Sequence, residues 1–490
     1  MLYRFRWVFC QLDSLQHCIP PNLRQYLNEL PETLDETYER ILKGINKSQR
    51  DNAHRLLQCL TVAVRPLLVE ELAELLAFDF QVSTSGGIPT LKEDWRWDDV
   101  EEAVLSTCSS LIAVVPRDDT RVVQFSHFSV KEYLTSSRLA KSQHGDVSRF
   151  RIDLEPAHTI MAQACLATLL RLDGRADNID TKMSPLVEYA AEHWVDHAQF
   201  SKVSSYVQDG MDDLFDNTKP HFAAWLQVCD IDEAWELFSP YFYSAEEYVH
   251  DGVNSPLYYA AFCGFYDLAE RLLMKDPEQV HARGGRNLFP LPAALYNRHF
   301  DVANLLYRHG AVVDDQGDDQ YTPLYAASGQ GQVDTMRWLL NHGALADTNT
   351  RDGYDGGIPL FYAAYAMQFE AVRVLLEYDA DINLRNPAGD TLLYWVFSSC
   401  SWNGKFMDMV QLLLEHSADP NICNKYNITP LHEASSRGLV DAARLLLSHG
   451  AKVDVKDKMG RTPLQVALSK GRDELTKLLV EHGAVSPSQP

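Results

Sequence analysis

From residue 254 onward a Pro-Leu pair recurs ahead of a short helical segment rich in small residues, and this internal repeat constrains the fold more than any other feature. The copies are SPLYYAAFCGFYD (255–267), FPLPAALYNRHFD (289–301), TPLYAASGQGQVD (322–334), IPLFYAAYAMQFE (358–370), TLLYWVF (391–397), TPLHEASSRGLVD (429–441) and TPLQVALSKGRDE (462–474). Their anchors are Leu257, Leu291, Leu324, Leu360, Leu393, Leu431 and Leu464, spaced by 34, 33, 36, 33, 38 and 33 residues. A second mark follows in phase: His-Gly-Ala at 309–311, 342–344, 449–451 and 482–484, with YDAD at 378–381 and HSAD at 416–419. Two markers locked to one period exclude coincidence and require a stack of like units.

One copy, Asn427 to Lys456, shows the physics of the unit. The Thr429 side chain caps a helix and Pro430 suits its first turn. Leu431, Ala434 and Ser435 make one face small or apolar, so a second helix can approach closely. Gly438 ends the first helix in a tight turn. Val440, Ala443, Leu445, Leu446 and Leu447 recur at a helical period in the second helix. His449-Gly450-Ala451 stops that helix, and Lys452–Asp457 leads into the next copy. A single unit cannot bury its own apolar face, whereas stacked units can, so the segment is expected to fold as a solenoid.

The TPLH, the mid-unit Gly and the LLLxHGAxVxxxD ending of this copy resemble the ankyrin repeat family, and the resemblance covers seven units over residues 251–486. Unit five departs most, with Leu392 in place of Pro and an insertion of about five residues at Ser398–Lys405. Unit four has three extra residues in RDGYDGG (351–357), and unit two has Arg298 where the turn Gly belongs. These departures predict irregular stacking in the middle of the array. The apolar segment 221–242 is expected to act as a degenerate cap on the first repeat.

The resemblance implies a binding platform rather than a catalyst, with protein partners held by loop tips and by the exposed end of each first helix. Those helix positions are Phe262/Cys263, Tyr296/Asn297, Gly329/Gln330, Tyr365/Ala366, Ser398/Ser399, Ser436/Arg437 and Ser469/Lys470. The tips include Asp318, Gln320, Tyr321, Asn349, Arg351, Tyr354, Arg385, Asn386, Lys425, Tyr426, Lys456 and Lys458. Tyr and Arg are enriched at interface hot spots. The candidate contacts are therefore Tyr296, Gln320, Tyr321, Arg351, Tyr354, Tyr365, Arg385, Tyr426, Arg437 and Lys458. No cofactor is expected.

The chain has 490 residues, 46% of them hydrophobic and 23% charged, with a net charge of −24. Both halves are acidic: 23 cations face 39 carboxylates in residues 1–250, and 21 face 29 in residues 251–490. This disfavours general binding to nucleic acid or to anionic membranes. No apolar stretch approaches the length of a membrane span. Arg4 and Arg6 interrupt the opening MLYRFRWVFCQLDSL, so no secretion signal is read there. Nine scattered cysteines without a CxxC fit free thiols in a reducing compartment, and the chain is expected to be intracellular and cytoplasmic.

The first half reads differently. Pro31 and Thr33 open a helix with Leu34, Tyr38, Ile41 and Leu42 on its apolar face. HRLLQCLTVAV (54–64), a break at Arg65-Pro66 and LLVEELAELLAF (67–78) read as helix, turn and helix. An amphipathic helix is expected at 98–107, a hairpin in SSLIAVVPRDDTRVVQFSHFSV (109–130), and a helix over Lys131–Leu139. Together these suggest a small winged-helix domain. FRWVFCQLDSL, LPETLDETYERIL, RPLLVEELAELLAF, VVQFSHFSVKEYL and MSPLVEYAAEHWVDHA resemble, in this order, the region after the nucleotide-binding core of fungal NACHT proteins, which are NLR-like signalling ATPases. The resemblance implies a helical tail at 1–50, a winged helix at 51–145, and a helical linker and repeat cap at 146–250. The chain contains no GxxxxGK[ST], so no phosphate cradle is expected in it; the family's nucleotide-binding module belongs upstream.

A winged helix also raises the question of DNA. Residues 51–150 hold 10 Lys and Arg against 15 Asp and Glu, and Glu70, Glu71 and Glu74 on the second helix repel phosphate. Other chemistry is equally weak. His193 and His197 sit one turn apart, a spacing for two metal ligands, but the third ligand is missing and a partly exposed helix packed over Trp194 explains them. Ser126, His127 and Ser129 lack a GxSxG context, and Ser129 with Glu132 fits a capping box. Asp314–Asp319 lacks calcium-loop spacing and fits an acidic loop tip. The expectation is a mostly α protein that recognises protein partners without catalysis. Two rival readings remain: the sensing part of a NACHT NTPase, and a winged-helix DNA binder.

Overall fold

A computed structural model describes residues 33–80, 88–108, 110–117, 120–140, 145–172, 184–229, 231, 255–284, 289–315, 322–346, 357–399 and 404–485. The chain is mostly helical and divides into two compact units, 1–235 and 236–490.

The first unit opens with α1 (Leu34–Gly44), whose Thr33 and Glu36 form a reciprocal capping box. α2 (Arg50–Val62) follows, and Pro66 ends any continuation. Leu67–Leu68 are not the start of the next helix, as their pattern suggests. They form β1, an edge strand paired antiparallel with β5 (Thr120–Phe125) through Leu67↔Val123 and Leu68↔Val122. α3 is therefore short, Val69–Leu76. A two-residue ladder joins β2 (Phe78–Asp79) to β3 (Thr90–Leu91), and α4 spans Val100–Cys108. β4 (Ile112–Arg117) and β5 form the expected hairpin, completing a sheet of order β1-β5-β4. Three helices and a wing of this kind are a winged helix.

Two expectations about local chemistry are corrected here. Glu71 and Glu74 do not face solvent. Both are buried, and each is held by two hydrogen bonds from one guanidinium: Arg65 to Glu71 at 2.9 and 2.7 Å, and Arg96 to Glu74 at 2.9 and 2.6 Å. A buried carboxylate survives only with such compensation, so these groups are neutralised and repel nothing outside. The cap of α5 (Phe128–Thr135) is His127, not Ser129. The Ser129 hydroxyl is buried 2.7 Å from the Tyr38 hydroxyl and 2.6 Å from His127 Nδ1, which ties α5 to α1.

After two short helices, α6 (Ser137–Ala140) and α7 (Gly145–Ser148), α8 (Leu154–Leu169) packs along α9 (Val187–Ala198). His197 is not on a partly exposed face; it is fully buried. Its Nδ1 lies 2.9 Å from His158 Nδ1 and its Nε2 lies 2.8 Å from the Tyr189 hydroxyl, which accepts from Val64 N–H at 3.2 Å. Burial holds His197 neutral, its pKa pushed down to about 3, with neighbouring His158 adding to the effect. Beyond α10 (Val203–Tyr206) and α11 (Gln208–Leu214), α12 (His221–Val228) places Trp225 against Trp194, Phe215 and Phe222. The described part of the expected repeat cap is thus built into the first unit's own core; residues 232–242 lie outside the described residues.

The second unit holds, among the described residues, seven helix pairs. They are α13 (Pro256–Phe262) with α14 (Tyr266–Lys275), α15 (Pro290–Tyr296) with α16 (Phe300–Arg308), and α17 (Pro323–Gln330) with α18 (Val333–Asn341). Next come α19 (Pro359–Tyr365) with α20 (Phe369–Glu377), α21 (Leu392–Ser399) with α22 (Gly404–Glu415), α23 (Pro430–Arg437) with α24 (Val440–Ser448), and α25 (Pro463–Ser469) with α26 (Asp473–Glu481). The Thr caps and first-turn prolines stand where the sequence put them, as at Thr322, Thr429 and Thr462. All seven anchor leucines are buried. Through units three to six the first helices still stack in order: α19 packs on α17, α21 on α19, and α23 on α21. The insertion of unit five falls after the first helix and lengthens the second, which has 12 residues where α20 has 9.

The turns show what the departures cost. Gly331 and Gly438 close their first helices with φ of 67° and 77°. Arg298 and Met367 occupy the same turn at φ of 63° and 54°, and Asp379 and Ser417 replace the His-Gly-Ala glycine at φ of 62° and 70°. A side chain in this left-handed region is strained. Asp379→Gly and Ser417→Gly, both at exposed positions, are each expected to stabilise the array by about 1 kcal/mol in chemical denaturation; a loss of stability in both contradicts the strain. The histidine pair gives a pH prediction. The folded pKa of His197 lies below the unfolded value, so its contribution is whole above about pH 6.5 and falls with pH toward 3. Between pH 7.5 and pH 5 the first unit should lose about 2 kcal/mol, followed by Trp fluorescence. His197→Gln should flatten that dependence, and an unchanged slope contradicts it.

Candidate partner-recognition face

The loop tips between the last pairs are built alike. In each, one polar side chain serves as a template for its own loop. Asn386 Oδ1 accepts from Asp390 N–H at 2.9 Å. Asn424 Oδ1 accepts from Tyr426 and Ile428 N–H at 2.9 and 3.1 Å. Asp457 Oδ1 accepts from Met459 and Arg461 N–H at 2.9 and 2.8 Å. A backbone pair closes each base, as from Asn424 N–H to Ile428 O at 3.0 Å. Burial pushes the Asp457 pKa up, but the Arg461 hydrogen bonds more than reverse this and hold it low. Neighbouring tips are joined. Arg385 Nη1 donates to Cys423 O at 2.6 Å, and Lys458 N–H donates to Tyr426 O at 3.0 Å.

The first helices carry an aromatic row. Tyr325 and Tyr362 stack with centroids 4.5 Å apart, and Tyr365 lies 5.5 Å from Trp395. Tyr365 keeps 40% of its surface exposed, while Trp395 keeps 8%. Tyr296 is half-buried, and burial pushes its hydroxyl up to about 12. Arg437 pairs with Glu433 and donates to Ser398 O at 3.1 Å, so it also braces unit six on unit five.

The candidate residues therefore separate. Tyr365, Tyr426 and Lys458 stand at the surface, with Tyr426 53% exposed and lying 5.4 Å from the Lys425 ammonium. Arg385 and Arg437 are drawn into bonds that hold the array together. Gln320, Tyr321, Arg351 and Tyr354 lie outside the described residues, as do Asp318 and Asn349. Three of the wider set named by position are buried: Cys263, Gly329 and Asn386. Asn386 faces inward because its amide is needed by its own loop. Met459, 76% exposed at the tip beside Lys458, was not singled out by sequence; its place just before the turn glycine Gly460 is a signal that could have found it.

The described residues show no group of three His, Cys, Asp or Glu side chains placed as metal ligands, and no helix long and apolar enough to cross a membrane. Asp314 Oδ2 accepts from Leu345 N–H at 3.2 Å, as a loop-tip residue does.

Comparison with known proteins follows the same division. A family model described as ankyrin repeats (3 copies) matches residues 291–386 and 397–489. A second, described as GPI inositol-deacylase, winged helix domain, matches residues 38–146. The chain carries ankyrin repeats behind a winged-helix domain. This ankyrin-repeat chain is 31% identical over 302 residues to the azaphilone pigments biosynthesis cluster protein L of Monascus ruber, a match covering 59% of the chain and 61% of that relative's length. The chain thus spans about three fifths of that relative. Among solved structures, the ankyrin repeat domain of Bcl-3, a member of the IkappaB protein family, is 27% identical, with a TM-score of 0.41 over 45% of this chain and 98% of that one. Ankyrin repeats are protein-interaction modules, and that coarse role holds for this array.

Packing under the face can be tested at Gly329. A Cβ placed there meets the Tyr362 ring at 2.0 Å. Glycine to alanine inside a helix normally stabilises by about 1 kcal/mol. Gly329→Ala should instead destabilise the array by about 1–3 kcal/mol, read by denaturant unfolding; a gain in stability contradicts the stacking of Tyr362 on Tyr325.

Proposed function

We propose that this chain recognises a protein partner without catalysing a reaction, through the exposed ends of the first helices and the loop tips of its ankyrin array. The observation that supports this most is the division of labour along the array: the anchors and small residues are consumed by stacking, while Tyr365, Tyr426 and Lys458 stay exposed on the elements that follow each cap. Large aromatic side chains held rigidly at a surface bind at low entropic cost. The role proposed is that of an intracellular, NLR-like signalling or non-self-recognition protein; the winged-helix match and the order of motifs in the first half support that reading.

A second reading makes the chain the regulatory and sensing part of a NACHT NTPase. The order of motifs in the first half, which resembles the region after a nucleotide-binding core, supports this reading. DNA binding is the weakest reading. The acidic first turn of α4, with Glu101 and Glu102, supports its rejection even though Glu71 and Glu74 are neutralised.

Affinity capture from host lysate with the full chain tests the proposal. A protein retained by the wild type should be weakened about tenfold or more by the folded double variant Tyr365→Ala/Tyr426→Ala, as for hot-spot truncation. Equal retention by both overturns this placement of the contact.

A further inference from the structure

The tips of the last three units form a basic edge on an acidic chain. Arg385, Lys425, Lys456, Lys458 and Arg461 lie within tips 385–390, 423–428 and 456–461, against only Asp390 and Asp457. Asp457 pairs with Arg461 and Asp390 lies near Lys425 and Arg385, so the edge keeps a net excess of three cations. Asp457 is buried and bound by its own loop and by Arg461 at 2.9 Å, and Asp390 is half-buried beside Asn424. Among the described residues, Lys425, Lys456 and Lys458 form no ion pair and all are exposed. The Tyr426 ring lies between two of them, 5.4 Å from the Lys425 ammonium and 6.0 Å from that of Lys458, and Met459 adds an exposed apolar side chain. The link from Lys458 N–H to Tyr426 O keeps the last two tips in register.

We infer that this edge binds an acidic, extended segment of the partner protein. The inference rests on the recognition reading above and names the chemistry of the partner. Packed helices lie about 8–10 Å apart, so three successive tips span about 20 Å. A strand rises about 3.3 Å per residue, so about six extended residues cover the row, with a carboxylate at about every third position facing a cation. Apolar residues between them meet Tyr426 and Met459. Complementary charge of this kind sets specificity and association rate, and salt weakens it.

The test is fluorescence anisotropy with the full chain and a labelled peptide of about eight residues, Glu at every third position and Ser or Gly between. A Gln-for-Glu peptide and a short DNA duplex serve as competitors. The Glu peptide should bind at least about tenfold tighter than the Gln peptide at low salt and lose affinity as salt rises. Lys425→Glu/Lys458→Glu, with an unchanged melting curve, should weaken it about tenfold or more, and Lys477→Glu on α26 should not. Equal binding of Glu and Gln peptides, full binding by the double variant, or tighter lysine-dependent binding of the duplex overturns the inference. Failure here with Tyr365→Ala still releasing a captured protein leaves the platform standing; capture insensitive to every array variant removes the platform itself.

Discussion

No helix pair of the array can hide its own apolar side, and every other property of the second unit follows from that constraint. All seven anchor leucines are buried where the helices pack, and burying such a side chain is worth about 1.5–3 kcal/mol. The cover must also come close. Ala261, Ala294, Ala327, Ala364, Ala434 and Ala467 are buried on the first helices, where a larger side chain would hold the pairs apart. Gly329 is the extreme case, leaving no room for even a Cβ under Tyr362. Side chains spent on stacking are unavailable for recognition. What remains for a partner is the helix ends and the tips, whose shape is fixed by buried Asn424 and Asp457 rather than by the residues that face outward.

The first unit solves a different problem. Its winged helix buries two glutamates and its α8–α9 pair buries a histidine, and each is stabilised by a defined partner: Arg65, Arg96 and the His158–His197–Tyr189 chain. Such groups contribute little net stability when paired, and cost several kcal/mol when a partner is removed. They therefore specify one packing of α3 and α9 more than they strengthen it. Glu102 and Asp99 stay exposed, and α3 and α4 carry no Lys or Arg to offer a phosphate backbone.

The array was legible in the sequence almost residue by residue, because its period repeats the same local chemistry: a Leu anchor in all seven units, Pro in six, and a Ser or Thr cap and a turn glycine in most. The hairpin at 112–125 was legible from alternation, and its neighbour β1 was not, since two leucines beside a helix carry no period. Burial of Glu71 and Glu74 was hidden because the rescuing arginines are set by tertiary structure, with Arg96 22 residues away from its carboxylate. The His127 cap was missed because Ser129 makes the better local motif, and its hydroxyl is taken by Tyr38, 91 residues distant. On the candidate face, residue type pointed correctly to Tyr365, Tyr426 and Lys458 as exposed. It failed for Asn386, whose polar side chain serves its own backbone.

The most direct measurement is hydrogen–deuterium exchange on the full chain with and without a captured partner protein. Added protection is expected in the backbone of 385–390, 423–428 and 456–461 and at the end of α19, with the winged helix unchanged. Protection confined to α3, α4 and the β4–β5 hairpin, with the repeat tips exchanging as in the free chain, contradicts an array that recognises its partner through its exposed edge.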